Sequence, residues 1–192
     1  PVQVYLNGEH WYDCYILERY DEQYFRQHYQ VDDRVLVKNG MVDERPDFNE
    51  EQYDYETFMG WVKDSDFSDP AEWEAFQEQA DVQGYIDYTV INYFLCNLDY
   101  GDYHNYVLWR APLMGGQWAE LAKWKWCIYD VDALTWVNEE KFGSREAVNV
   151  FSPGEDGGIN ATSVFSSLKV NNEFRQQFVI SFMDMLNNNF AP

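Results

Sequence analysis

The chain is poor in positive charge: 13 Lys and Arg stand against 34 Asp and Glu in 192 residues, a formal net charge of −21. A surface of that sign repels phosphate backbones and anionic lipid, which argues against nucleic acid or membrane as the main partner. It favours cations or basic protein segments. No apolar run approaches the ~20 residues that a membrane-spanning helix needs, so no span is expected. Three cysteines, Cys14, Cys96 and Cys127, lie far apart without metal-site spacing, and the expectation is three buried free thiols. There is no glycine-rich phosphate loop and no internal repeat. The sequence starts at Pro1-Val2 without an initiator Met or a signal-like segment, and it reads as a processed or excised piece of something longer.

Apolar material is plentiful. Hydrophobic residues make up 46% and aromatics 19%, enough for one domain, or a large piece of one, with a sizeable core. Disorder is excluded on the same ground. Asn160-Ala161-Thr162 fits the glycosylation sequon, a pattern short enough to arise by chance.

Asn7-Gly8 between two strand-like runs is a strong hairpin signal, because both central positions of a type I′ turn need positive φ; a hairpin is expected over 2–18. Asp21 can cap a helix over 22–29, and VLVK at 35–38 reads as a strand. Asn49 and Gln52 give a capping-box-like start, with Tyr55, Phe58, Met59 and Val62 at helical spacing behind it. Asp69-Pro70 supplies a cap and an N1 proline to a further helix. After Asp81, the residues Val82, Tyr85, Ile86, Thr89, Val90, Tyr93 and Phe94 define a helix with one buried face. YVLW at 106–109 and WKWCIY at 124–129 read as an antiparallel hairpin. Residues 138–163 read as a long loop, and a last helix carries Phe174, Phe178, Phe182 and Met185 on one stripe.

Between the Asp81 helix and that hairpin lies NLDYGDYHNYVLWR, with Asp99, Asp102, His104 and Asn105; Asp130 and Asp132 follow the second strand. Helix, loop with Asp and Asn, hairpin, Asp is the order that gathers a catalytic aspartate and two oxygen ligands around one nucleotide in protein kinases. Phosphoryl transfer needs these types, a carboxylate to orient the hydroxyl and hard oxygen donors for Mg²⁺. Turn formers and a helix cap would account for the same residues structurally, and His104 alone reads as a structural residue. A calcium loop at Asp130 is excluded, since Leu134 and Val137 stand where oxygen is required.

The segments VYLNGEHWYDCYILERYDEQYF, LVKNG, NLDYGDYHNYVLWR, WKWCIYDVD and NNEFRQQFVISFMDMLNNNF resemble successive blocks of the CotH family, the spore-coat-type atypical protein kinases. The likeness runs over nearly the whole chain. It implies an α+β, atypical protein-kinase-like fold, with 1–40 as the end of the N-terminal lobe and the hinge, and 41–192 as the helical C-terminal lobe. It implies transfer of the ATP γ-phosphoryl group to protein Ser or Thr. By position, Asp99 resembles the catalytic aspartate and Asn105 and Asp130 the Mg²⁺ ligands, while Asp132 matches a second acidic position beside them. Glu18 falls where the nucleotide base would lie in the hinge. Lys38, the one lysine in a strand context before Asp99, reads as a substitute for the missing phosphate-binding lysine or, structurally, as a solvated strand-end lysine. The resemblance also implies a bacterial cell-envelope, spore-coat or secreted location.

Two departures stand out. Ala133-Leu134-Thr135 follow the acidic pair where family members often have Phe-Gly, and the family's lysine-bearing strand would precede the Asn7-Gly8 hairpin. The resulting expectation is a piece inactive alone although its parent is a kinase. The competing class is a non-catalytic cell-surface or coat module that binds a partner through its acidic, aromatic surface. An acid/base hydrolase using Asp99 and Asp130 has no supporting motif.

Overall fold

The computed structural model describes residues 1–42, 49–95, 97, 101, 104–112, 116–131 and 162–189. They form a mixed α+β protein with small antiparallel sheets and several helices, in two compact units, Pro1–Arg34 and Val35–Pro192.

In the first unit, β1 (Val2–Leu6) and β2 (Glu9–Cys14) pair antiparallel around Asn7-Gly8. The φ values of 53° and 85° there are the two positive angles of a type I′ turn. α1 (Glu22–Tyr29) matches its expected span: Asp21 Oδ1 accepts from the Tyr24 N–H at 3.0 Å, and the helix stops at Gln30 with φ 58°. Phe25 is fully buried, with the Arg34 guanidinium 5.2 Å from its ring centroid. Tyr5, Trp11 and Tyr12 on the hairpin, and Tyr15, Ile16 and Leu17 after it, are exposed.

The second unit is built on a four-stranded antiparallel sheet of β3 (Val35–Lys38), β4 (Met41–Val42), β5 (Val107–Arg110) and β6 (Lys125–Cys127), in the order β4-β3-β5-β6. β4 is an addition to the sequence reading. It follows a second tight turn, Asn39-Gly40, with φ of 53° and 80°. A 3₁₀ turn over Gly116–Ala122 occupies part of the β5–β6 connection.

α2 (Asn49–Asp64) buries Tyr55, Phe58, Met59 and Val62 as their spacing requires. The Gln52 side chain accepts from the Val42 N–H at 2.8 Å and donates to the Gly40 carbonyl at 3.1 Å, tying α2 to the β3–β4 turn. α3 (Pro70–Gln79) starts at Asp69, whose Oδ1 accepts from the Ala71 N–H, and buries Trp73 and Phe76. α4 (Val82–Phe94) starts at Asp81, whose Oδ1 accepts from the Gly84 N–H at 3.0 Å.

Burial of α4 is wider than one face. Tyr85, Ile86, Thr89, Val90 and Tyr93 are buried as expected, but Tyr88 and Asn92 join them while Val82 and Phe94 are half-buried. Elements pack on more than one side of it: α4 touches β6 and the last helix, and the Tyr88 ring meets Tyr106 edge-on at 6.4 Å.

At the end of the expected long loop stands a short helix, α5 (Ser163–Leu168), and 132–161 lie outside the described residues. Thr162 caps α5 and exchanges a hydrogen bond with the Tyr85 hydroxyl at 2.7 Å, so the sequon's hydroxyl is buried and in structural use. α6 (Asn172–Asn189) buries Phe174 and Phe178, with Phe182 and Met185 partly buried against the same core. Burying each such ring contributes about 1.5–3 kcal/mol. Cys127 is buried as expected, Cys14 is half-buried instead, and both are free thiols; Cys96 lies outside the described residues.

Candidate functional site

Antiparallel register gathers one set of side chains at one end of the second sheet. Lys38 stands opposite Val107, and Val107 opposite Cys127. Asn105 precedes the start of β5, and Tyr129 and Asp130 follow the end of β6, so the antiparallel pairing puts all three at this end of the sheet. The ladder does continue: the Asn39 N–H donates to the Tyr106 carbonyl at 2.8 Å, and the Tyr106 N–H donates to Asn39 Oδ1 at 3.2 Å. The buried Trp126 Nε1 donates to the Tyr106 hydroxyl at 2.7 Å, fixing β6 to the residue after Asn105.

Two of the expected metal ligands, Asn105 and Asp130, share an unusual backbone. Their φ values are 50° and 51°, in the left-handed region that few residues other than glycine adopt and that Asn and Asp tolerate best. Such outliers concentrate where geometry serves a site. Asn105 is buried and Asp130 exposed, a protein-side and a solvent-side oxygen donor at the same sheet end.

The chain reaches Asn105 through a tethered loop. Asn97 is fully buried; its backbone N–H donates to the Asn92 carbonyl at 2.9 Å and its Nδ2 to Asn92 Oδ1 at 2.8 Å, while Asn92 Nδ2 donates to the Tyr88 carbonyl at 2.9 Å. Gly101 and His104 then exchange backbone hydrogen bonds at 2.8 and 3.1 Å, closing a tight turn. Asp99, Asp102 and Asp132 lie outside the described residues.

Lys38 ends β3 at this sheet end. Its ammonium lies 4.3 Å from the Tyr129 ring centroid and donates to the Tyr129 hydroxyl. Glu18 belongs to the first unit, where its carboxylate pairs with His28 Nε2 at 2.6 Å on the surface. Burial pushes the Cys127 thiol up to about 12, so a neutral, apolar sulfhydryl stands behind the site. Sequence reasoning had not reached Tyr129, nor the Asn92–Asn97 pair. Asn97 opens the segment NLDYGDYHNYVLWR, but its partner within α4 carries no local signal.

Magnesium takes oxygen ligands, few of them from protein, and keeps several waters. The Asn105 amide oxygen and the Asp130 carboxylate are donors of that type. Among the described residues no three His, Cys, Asp or Glu side chains come together, and a set of one Asn with Asp130 is not such a cluster.

Helices, small antiparallel sheets and an aspartate beyond the second strand of the β5–β6 pair make an α+β protein with Asn105 and Asp130 at one end of its second sheet. The chain matches the family model described as CotH kinase protein over residues 1–192, and it belongs to that family. No curated protein and no solved structure matches it.

Proposed function

We propose that this chain is the hinge and C-terminal lobe of an ATP-dependent protein Ser/Thr phosphotransferase. Asp99 orients the substrate hydroxyl and accepts its proton. Asn105 and Asp130 hold Mg²⁺, with Asp132 as a further acidic group, and Lys38 faces the phosphates. Residues 1–40 are the lobe end and hinge. Bound Mg²⁺ neutralises charge on the transferring phosphoryl group. The partner is a protein segment, basic in keeping with the charge of −21, and the setting a bacterial cell envelope, spore coat or secreted layer.

One observation carries the reading: Asn105 and Asp130 stand at the same end of the sheet, on left-handed backbone. Two oxygen donors placed there by long-range register, with local strain, make a metal site the economical account. The test is a thermal shift with ATP and Mg²⁺. At a hundredfold excess over Kd the nucleotide should stabilise the protein by about 2.7 kcal/mol, and Asp130→Ala should remove that gain. An unmoved transition in the wild type overturns the reading.

A second reading has its own support. Tyr5, Leu6, Trp11, Tyr12, Tyr15, Ile16 and Leu17 are all exposed within one short stretch, and concentrations of exposed apolar side chains mark interaction surfaces. A non-catalytic coat or surface module would use them and would ignore nucleotide.

A further inference from the structure

We propose that Tyr129 is a positioning residue that holds Lys38 as the phosphate-binding cation of this site. The inference rests on the nucleotide-binding reading above and adds to it how the cation is held.

An exposed lysine in a chain with 34 acidic residues and 13 basic ones would by default pair with a carboxylate or remain solvated. Lys38 is exposed and has no carboxylate partner among the described residues. Its ammonium lies 4.3 Å from the Tyr129 ring centroid and donates to that ring's hydroxyl. The chemical difference matters. A carboxylate would neutralise the ammonium, whereas a neutral phenol oxygen directs it and leaves its full charge in place. Of its three N–H donors, one is used on the phenol and two are left for phosphate oxygens.

Placement supports the same role. Tyr129 immediately precedes Asp130, and Asp130 leaves the strand on left-handed backbone at φ 51°. Lys38 ends β3 opposite Val107, two residues after Asn105. A phosphate held at this sheet end would meet a directed, unneutralised ammonium. Lys38 ends β3 and Tyr129 lies two residues beyond β6; β5, which starts at this end of the sheet, lies between the two strands.

The experiment measures binding of MgADP by calorimetry to the wild type, Lys38→Met, Tyr129→Phe, Tyr129→Leu, the Lys38→Met/Tyr129→Leu double variant and Asp130→Ala. Far-ultraviolet circular dichroism matching the wild type is the criterion for a folded variant. Lys38→Met, Tyr129→Leu and Tyr129→Phe, which lacks the hydroxyl, should each weaken MgADP about tenfold, the loss of one charge-assisted contact. If Tyr129 acts through Lys38, the double variant should bind no more weakly than Lys38→Met alone. A Tyr129→Leu effect of undiminished size in the Lys38→Met background makes Tyr129 merely structural and overturns the proposal. Wild-type affinity in both single variants, with binding lost in Asp130→Ala, overturns it while leaving the nucleotide reading standing. Loss in the Lys38 and Tyr129 variants with full Mg²⁺-dependent binding by Asp130→Ala supports it and removes Asp130 as the metal ligand. A wild type that binds no MgADP overturns both.

Discussion

Asn97 Nδ2 donates to Asn92 Oδ1 at 2.8 Å, with Asn97 wholly withdrawn from solvent and Asn92 2% exposed. This bond, with the backbone bond from Asn97 to Asn92, fastens the chain leaving α4 to the helix's own last turn, two residues before Asp99. Asn92→Ala removes the acceptor where no water replaces it. The expected cost is about 1–3 kcal/mol, read as a lower urea midpoint at unchanged slope. A midpoint equal to the wild type would show that the loop is held by other contacts.

The left-handed backbone at Asp130 separates folding from function. Asp130→Gly and Asp130→Ala both delete the carboxylate, but glycine adopts a φ of 51° without a Cβ penalty whereas alanine does not. The glycine variant should be the more stable of the two by about 1 kcal/mol in denaturant titration, and neither should gain stability from ATP with Mg²⁺. Equal stability of the pair would mean that the backbone relaxes there.

Two helical glycines should respond oppositely to alanine. At Gly60, within α2, an added Cβ meets nothing within 4 Å, so Gly60→Ala should stabilise by about 0.5–1 kcal/mol through helix propensity. At Gly84 the same Cβ would come 2.6 Å from Asp81 Oδ2, the carboxylate that caps α4. Gly84→Ala should therefore lower the melting temperature despite the better propensity, since a displaced cap costs about 1 kcal/mol. A rise in both variants would contradict the cap geometry.

Cys127 gives a pH test with a defined sign. Burial raises its thiol from an ordinary 9.0 to about 12, so between those values the folded protein keeps a proton that the unfolded chain releases. Its stabilising contribution is complete below pH 9 and is lost as pH rises toward 12. Other groups also titrate in that range, so the comparison is with Cys127→Ala. The wild type should lose stability more steeply between pH 9 and 11, by up to about 1.4 kcal/mol per pH unit. Parallel curves would place the thiol in contact with solvent. Native thiol labelling should correspondingly find Cys14, half-buried, before Cys127.

Local chemistry was legible wherever a residue acts on its neighbours. Asp21, Asp69 and Asp81 cap the helices that follow them, Asn7-Gly8 turns its hairpin, and the apolar spacings of α2 and α6 face the core as read. Asn39-Gly40 carries the same turn signal as Asn7-Gly8, yet the strand after it is two residues long and offers no alternation to read. α5, six residues long, is equally short of a period.

What local patterns cannot carry is partnership across the chain. Periodicity named one face of α4, whereas packing by elements on more than one side also buried Tyr88 and Asn92. The type of each candidate ligand, Asn105 and Asp130, was readable as an oxygen donor. Their shared sheet end follows from the antiparallel pairing of β5 with β6, and the contact of Lys38 with Tyr129, 91 residues apart, from the order β3-β5-β6 in the sheet, with Tyr129 just beyond β6. Capping, turn and propensity energies act over a few residues and are written in the sequence, while strand register is set by the whole core closing at once, which is why only the tertiary structure brought these groups to one place.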